Sequence, residues 1–166
     1  VAAPSGTGSE LILEQQRHAL DRMDATAADR QAKIDLQTQI NTAVITGRGW
    51  EALPPDVKRQ ADTPWFQSLL MFDPARTIRN VRQPMLFVHG ELDQQVPVTH
   101  VQRISDLARK QSRSKAVAVV TVRGVNHLLV PATTGEVSEY ASLPDRNVSK
   151  DVTSAITGWL ATTFAA

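Results

Sequence analysis

The sequence contains no cysteine. This absence excludes disulfide bonds, thiolate nucleophiles and cysteine-ligated zinc or iron–sulfur sites. The chain also has no excess of charge of one sign, because 18 Lys+Arg stand against 17 Asp+Glu, for a formal net charge of +1. Proteins dedicated to nucleic acids or to membrane surfaces need clustered positive charge. The composition therefore predicts neither kind of partner.

Long apolar runs are missing as well. No window approaches the roughly 18 consecutive apolar residues that a transmembrane helix requires, so no membrane span is predicted. With 166 residues, 42% hydrophobic and 21% charged, the chain has the composition of a globular domain or of a large part of one. Its 4 histidines show no metal-binding spacing, and no metal or other cofactor is expected.

The first half of the chain reads as mostly helical. Val1–Pro4 is typical of the end of a strand. A helix with Ser9 as its N-cap is predicted next. Thr26 opens a second helix in a capping box that has Asp29 in place of glutamate, and Gly47 ends this helix. Its predicted apolar face is Leu36, Ile40, Ala43 and Val44.

Two further helices are predicted in this half, each opened by a proline at its first position. Pro64 opens one of them, and Asp73-Pro74 opens a shorter one with Ile78 and Val81 on its apolar side. The first has an apolar face that core packing explains better than an acyl-binding pocket does. That face comprises Trp65, Phe66, Leu69, Leu70 and Phe72.

The second half changes character. Residues 84–89 and 116–122 are continuous apolar runs, and helical spacing lies between them at 98–108. Strands that are apolar on both faces are typical of a parallel sheet covered by helices, so a βαβ unit is predicted. Residues 131–147 read as a long loop, and Ser149 caps a final helix. The division is thus a helical region at 1–83 and an α/β segment at 84–166.

Chemistry is expected at the carboxyl ends of the two strands, where ligands bind in open α/β sheets. Asp93 follows the first strand and His127 follows the second, 34 residues later (127 − 93). A carboxylate that accepts a hydrogen bond from an imidazole fixes its tautomer and stabilises the imidazolium. Asp93 and His127 are therefore the predicted catalytic residues. Glu91 is the rival acid, His89 is predicted to be structural, and His18 and His100 are predicted to be surface residues.

Two segments resemble the α/β-hydrolase family. Pro84-Met-Leu-Phe-Val-His-Gly-Glu-Leu-Asp-Gln-Gln-Val-Pro97 is similar to the segment that carries the acid of the catalytic triad. Gly124-Val-Asn-His127 is similar to the segment that carries the histidine. The resemblance covers residues 84–164 and implies a serine hydrolase that acts on esters or peptide-like acyl bonds of a small substrate. Residues 1–83 resemble the end of a central strand followed by a helical cap.

The chain departs from this family at the nucleophile. In α/β-hydrolases a Gly-x-Ser-x-Gly elbow precedes the acid and the histidine, and no serine here has that context. The resemblance therefore implies the C-terminal part of a hydrolase, inactive alone. An open sheet edge would then pair with the N-terminal half of the parent enzyme or with a second copy in a homodimer. The alternative is a non-catalytic interaction module that binds its partner through helical residues 9–81.

Overall fold

The computed structural model describes residues 3–114 and 116–165. These residues form seven α-helices and two β-strands. They divide into two compact units, one comprising Gly6–Asp73 and the other comprising the residues from Pro74 onward together with those up to Ser5. The sequence-based division at 83/84 lies ten residues beyond this boundary. The difference arises because Ile78, in the helix after Pro74, packs with Phe87 in the core of the second unit.

The first unit is helical. Its helices are α1 (Gly8–Asp21), α2 (Ala27–Thr46), α3 (Pro55–Ala61) and α4 (Pro64–Met71), with a 3₁₀ turn at Trp50–Ala52. The predicted limits of α2 are confirmed. The Thr26 hydroxyl accepts a hydrogen bond from the Asp29 amide, and Gly47 ends the helix at a φ of 71°, a conformation that favours glycine.

The predicted start of α1 was wrong by two residues. Thr7, not Ser9, is the N-cap, and it forms a complete capping box with Glu10. The Glu10 carboxylate, at the third helical position, accepts a hydrogen bond from the backbone amide of Thr7. This amide has no partner within the helix, so the capping box satisfies it. Ser9 lies inside the first turn instead, where its hydroxyl oxygen accepts a hydrogen bond from the side-chain Nδ2 of Asn41 at 3.0 Å.

The apolar faces predicted for α2 and α4 were partly wrong. Leu36 in α2 is exposed, and the buried positions of that helix are Ile34, Asn41, Ala43 and Val44. In α4 Leu70 alone is buried, whereas Trp65 is 72% exposed and Phe72, which follows the helix, is 48% exposed. Core packing therefore does not explain Trp65 and Phe72, whereas Phe66 is half-buried.

The second unit has the predicted α/β architecture. It contains α5 (Pro74–Ile78), β1 (Met85–Gly90), α6 (Val98–Gln111), β2 (Val117–Val122) and α7 (Lys150–Phe164), with a 3₁₀ turn at Val137–Ser142. The two strands are parallel and paired from Met85 with Val117 to Gly90 with Val122. Ser149 caps α7 as predicted. The strand expected at the start of the chain is not seen at Ala3 and Pro4, and Val1 and Ala2 lie outside the described residues.

Helices cover the sheet through two separate apolar clusters. Phe87 packs against α6 residues such as Val101 and Ile104. The neighbouring strand residue, Val88, packs instead with Val152 of α7. Because successive side chains of a strand point to opposite faces, α6 and α7 lie over opposite faces of the sheet. Among the described residues, no helix is both long and apolar enough to cross a membrane.

Candidate active site

The loop after β1 holds Asp93 in a buried position. The Asp93 amide donates to the Gly90 carbonyl, which turns the chain back at the end of the strand. The carboxylate then accepts hydrogen bonds at Oδ1 from the amides of Gln95 at 3.0 Å and Val96 at 2.8 Å. These bonds fix the side chain and leave its other oxygen, Oδ2, directed away from its own loop.

His127 lies opposite that second oxygen. Its Nδ1 is 2.9 Å from Asp93 Oδ2, and the Asp93 side chain has no exposed surface whereas the imidazole is 29% exposed. The predicted hydrogen bond between these residues is therefore present. Because a carboxylate can only accept, the imidazole hydrogen lies on Nδ1. The lone pair on Nε2 is then free to take a proton, since Nε2 has no hydrogen-bond partner within residues 3–114 and 116–165.

Asn126 shapes the turn that carries His127. Its buried side-chain oxygen accepts hydrogen bonds from the amides of Leu128, at 2.9 Å, and Val130, at 3.4 Å. Leu129 adopts a φ of 62°, a conformation that costs energy for a branched residue and persists only where its surroundings enforce it. This role of Asn126 was not predicted from the sequence, because an asparagine beside a histidine carries no signal of its own.

Glu91, the rival acid, contacts a different group. Its Oε2 accepts a hydrogen bond from the Gly124 amide at 3.0 Å, so this carboxylate joins the ends of the two strands. It is not hydrogen-bonded to the imidazole, whose partner is Asp93. The two acids are only two residues apart, but the turn between them directs the Glu91 carboxylate to Gly124 and the Asp93 carboxylate to His127.

The other histidines differ in environment. His89 is fully buried, and neither of its ring nitrogens has a hydrogen-bond partner among the described residues. Burial lowers its pKa, against an opposing effect of the nearby Asp93 charge. The surface prediction for His100 was wrong, since it is buried and its Nδ1 accepts the Ser5 amide at 3.0 Å. His18 is partly exposed and lies beside Arg22.

The loop at 131–147 contributes residues that the sequence analysis did not identify. The Gln95 side chain donates to the Tyr140 hydroxyl at 2.8 Å, and burial raises the pKa of that phenol. Gly135 lies against Leu92 so closely that a Cβ atom there would overlap the Leu92 carbonyl, and its φ of 77° also favours glycine. This loop therefore packs directly against the segment that carries Asp93.

Gly90 is the position at which a small change is expected to disturb the pair. A Cβ atom on Gly90 would lie 2.6 Å from the Asn126 carbonyl oxygen and closer still to that of Val125. Gly90→Ala is therefore expected to displace the turn before His127 and to destabilise the fold by about 1–3 kcal/mol, as overpacking does. Urea unfolding measures the stability, and the NMR signal of the Nδ1 hydrogen reports the contact with Asp93.

Gly158→Ala is the matched control for this substitution. Gly158 lies on the exposed side of α7, and a Cβ atom there would meet nothing within 4 Å. Because alanine favours a helix interior, the free energy of unfolding should rise by about 1 kcal/mol. Equal effects of the two substitutions would contradict the close approach of β1 to the His127 turn.

Glu139 holds the first part of the same loop. Its carboxylate accepts hydrogen bonds from the amides of Thr133, Thr134 and Gly135 and from the Thr134 hydroxyl. These hydrogen bonds lower the pKa of Glu139 from 4.5 to about 2, and the Thr133 amide contributes most, followed by the Thr134 hydroxyl. Since the pKa is depressed in the folded chain, the stabilisation is complete above pH 4.5 and is lost as the pH falls from 4.5 toward 2.

We therefore expect the amides of residues 133–135 to exchange with solvent much faster at pH 3 than at pH 6, after correction for intrinsic exchange rates. Glu139→Gln should already speed the exchange of these amides at pH 6. The side-chain NH₂ group of glutamine is a donor, so it cannot accept the hydrogen bonds that one carboxylate oxygen accepts from these amides. Hydrogen-exchange NMR measures both effects. Glu51→Gln, at an exposed position, is the control and should change nothing. An unchanged pH response in Glu139→Gln would refute the assignment.

This arrangement can act chemically as a base. A buried carboxylate, an oriented imidazole and an open Nε2 form the acid–histidine part of a proton-transfer system. In residues 3–114 and 116–165 no serine hydroxyl is hydrogen-bonded to His127. No group of three or more potential metal ligands occurs among those residues either. Comparison of the chain with protein-family models, with curated proteins and with solved structures gave no significant match.

Proposed function

We propose that this chain is the acid- and histidine-bearing part of a serine hydrolase of the α/β-hydrolase family, which cleaves ester or peptide-like acyl bonds. The observation that carries the proposal is the 2.9 Å contact between His127 Nδ1 and Asp93 Oδ2, with the carboxylate buried and Nε2 open. The parallel strand order and the helices on both faces of the sheet support it. They match the architecture in which such pairs occur.

In the proposed reaction His127 is the general base. Nε2 takes the hydroxyl proton of a serine while the serine oxygen attacks the acyl carbon, and the same proton is then given to the leaving group. Water then attacks the acyl carbon of the acyl-enzyme while Nε2 takes a proton from it. That proton returns to the serine oxygen as the carboxylic acid product leaves. Asp93 stabilises the imidazolium through the Nδ1 hydrogen bond. The serine would come from a polypeptide segment outside these 166 residues, because no Gly-x-Ser-x-Gly elbow occurs within them.

The test compares two proteins, the 166-residue chain and the complete product of its gene. A fluorophosphonate probe should label a serine of a Gly-x-Ser-x-Gly segment in the complete product, which should also hydrolyse a nitrophenyl ester. The 166-residue chain alone should be neither labelled nor active, because it would retain only the base. A complete product without such a serine, or one that the probe does not label, would refute the proposal.

One observation favours a second candidate function, that of an interaction module. The helical unit exposes large apolar side chains, with Trp65 at 72%, Met71 at 58% and Phe72 at 48%. Exposed apolar groups in one segment are typical of a protein-binding surface. In that case Trp65→Ala would abolish partner binding and leave the Asp93–His127 contact intact. Self-association of the chain, or its pairing with an N-terminal half, stays a prediction.

A further inference from the structure

A cleft lies between the turn that follows His127 and the long loop at 131–147. Its volume is about 480 Å³, and its lining residues are Leu128, Val130, Tyr140, Ala141, Leu143 and Arg146. Leu128 is the residue directly after His127. Tyr140, also in the lining, accepts a hydrogen bond from the side chain of Gln95, and the backbone amide of Gln95 donates to Asp93. The cleft lining is therefore linked to the proposed proton-transfer pair at two points, through the peptide bond from His127 to Leu128 and through the hydrogen bonds of Gln95 to Tyr140 and Asp93.

The lining of this cleft is mostly apolar. Val130 and Leu143 are buried beneath it, and Leu128 is 48% exposed beside it. Sites for small organic ligands combine such an apolar lining with a few polar groups that orient the ligand. Here the polar groups are the Tyr140 hydroxyl and the Arg146 guanidinium.

Arg146 is the cation of this lining. Its Nη2 donates to the Ala141 carbonyl at 3.1 Å. Among the described residues no carboxylate forms an ion pair with it, because Asp145 accepts from Asn147 and Glu139 accepts from its own loop. A guanidinium has five N–H donors in a planar fork that matches a carboxylate. Most of these donors are therefore available to a ligand.

We propose that this cleft binds the part of the substrate that leads away from the scissile bond, and that this part is an apolar chain ending in a carboxylate. The apolar residues contact the chain, and Arg146 binds its anionic end, which makes Arg146 a specificity-determining residue. The assignment to a substrate rests on the proposed function. The binding preference itself does not, and it can be measured without turnover.

The test uses hexanoate and its neutral analogue hexanamide as probes of the 166-residue chain, with NMR titration at pH 7. Hexanoate should bind more tightly than hexanamide and should shift the signals of Leu128 and Tyr140. Arg146→Gln should weaken hexanoate binding by about fivefold, the upper range for an exposed ion pair, and leave hexanamide binding unchanged. Arg146→Lys should lose less, because the charge is kept.

Arg103→Gln is the matched control, since it removes the same charge from an exposed position on α6. It should leave both affinities unchanged. Equal binding of the two probes, shifts elsewhere in the chain, or an Arg146→Gln variant that binds hexanoate normally would each overturn the inference. A complete gene product that the fluorophosphonate does not label would refute the proposed function instead, and the two failures are therefore distinguishable.

Discussion

His127→Ala is expected to lower kcat by about 10⁴- to 10⁶-fold in the proposed complete hydrolase, the range seen when a serine enzyme loses its general base. The reason is that the imidazole is the group whose open Nε2 faces away from Asp93, so no other part of the pair can accept the serine proton. The measurement is single-turnover and steady-state hydrolysis of a nitrophenyl ester. KM should change much less than kcat, because the imidazole contributes mainly to the transition state.

A His127→Ala enzyme that keeps more than about a tenth of its kcat would contradict the assignment. His100→Ala separates a specific effect from a general one. His100 is a buried histidine of the same unit, and its partner is the Ser5 amide. Its removal should lower stability but should leave kcat of the folded enzyme close to normal.

Asp93→Asn is expected to lower kcat by about 10⁴-fold through the wrong imidazole tautomer. The geometry forces this outcome, because the side-chain oxygen of asparagine is needed by the amides of Gln95 and Val96. Its NH₂ group then faces His127 and donates to Nδ1, so the imidazole hydrogen must move to Nε2. An Nε2–H group cannot accept the proton of serine.

This prediction also has a readout in the 166-residue chain, where no turnover is expected. Long-range ¹H–¹⁵N NMR should show the Nδ1–H tautomer of neutral His127 in the parent chain and the Nε2–H tautomer in Asp93→Asn. An Nδ1–H tautomer in Asp93→Asn as well would contradict the predicted role of Asp93 in fixing the His127 tautomer. In the complete enzyme the double variant should be little slower than His127→Ala alone, because residues that act as a unit are not additive.

Glu91→Gln is the control for this substitution. It makes the same acid-to-amide change two residues away and keeps an acceptor oxygen for the Gly124 amide. It should therefore leave kcat and the His127 tautomer nearly unchanged. If Glu91→Gln strongly lowered kcat and Asp93→Asn did not, the acid of the pair would be Glu91.

Much of the local structure was predictable from short stretches of sequence. Capping residues such as Thr26 and Ser149 mark helix starts because their side chains satisfy amides only a few residues away. Continuous apolar runs at 84–89 and 116–122 mark parallel strands covered by helices for a similarly local reason. Asp93 and His127 each follow one of these strands, and both lie at the carboxyl end of the sheet because parallel strands end on the same side.

The helix faces were less predictable. Trp65 and Phe72 have the spacing of a core-facing stripe and are nevertheless exposed, because burial depends on which neighbouring helix covers each face. His100 shows the converse. It lies on an amphipathic helix at a position that reads as surface, but the Ser5 backbone, 95 residues earlier in the chain, covers it. Periodicity gives the apolar faces of a helix but not the segments that pack on them.

The sequence by itself determined that this protein has a parallel βαβ unit with an acid and a histidine after its two strands. Only the tertiary structure decided which acid meets the histidine. Glu91 and Asp93 are separated by a single turn, and the hydrogen bonds of that turn direct one carboxylate to Gly124 and the other to His127. Only the tertiary structure, likewise, brought Tyr140 to Gln95 and, within the described part of the chain, left Arg146 without an acidic partner. The contacts of Glu91, Asp93 and Gln95 join residues tens of positions apart, and their geometry depends on how the intervening chain packs, which no local pattern of residues encodes.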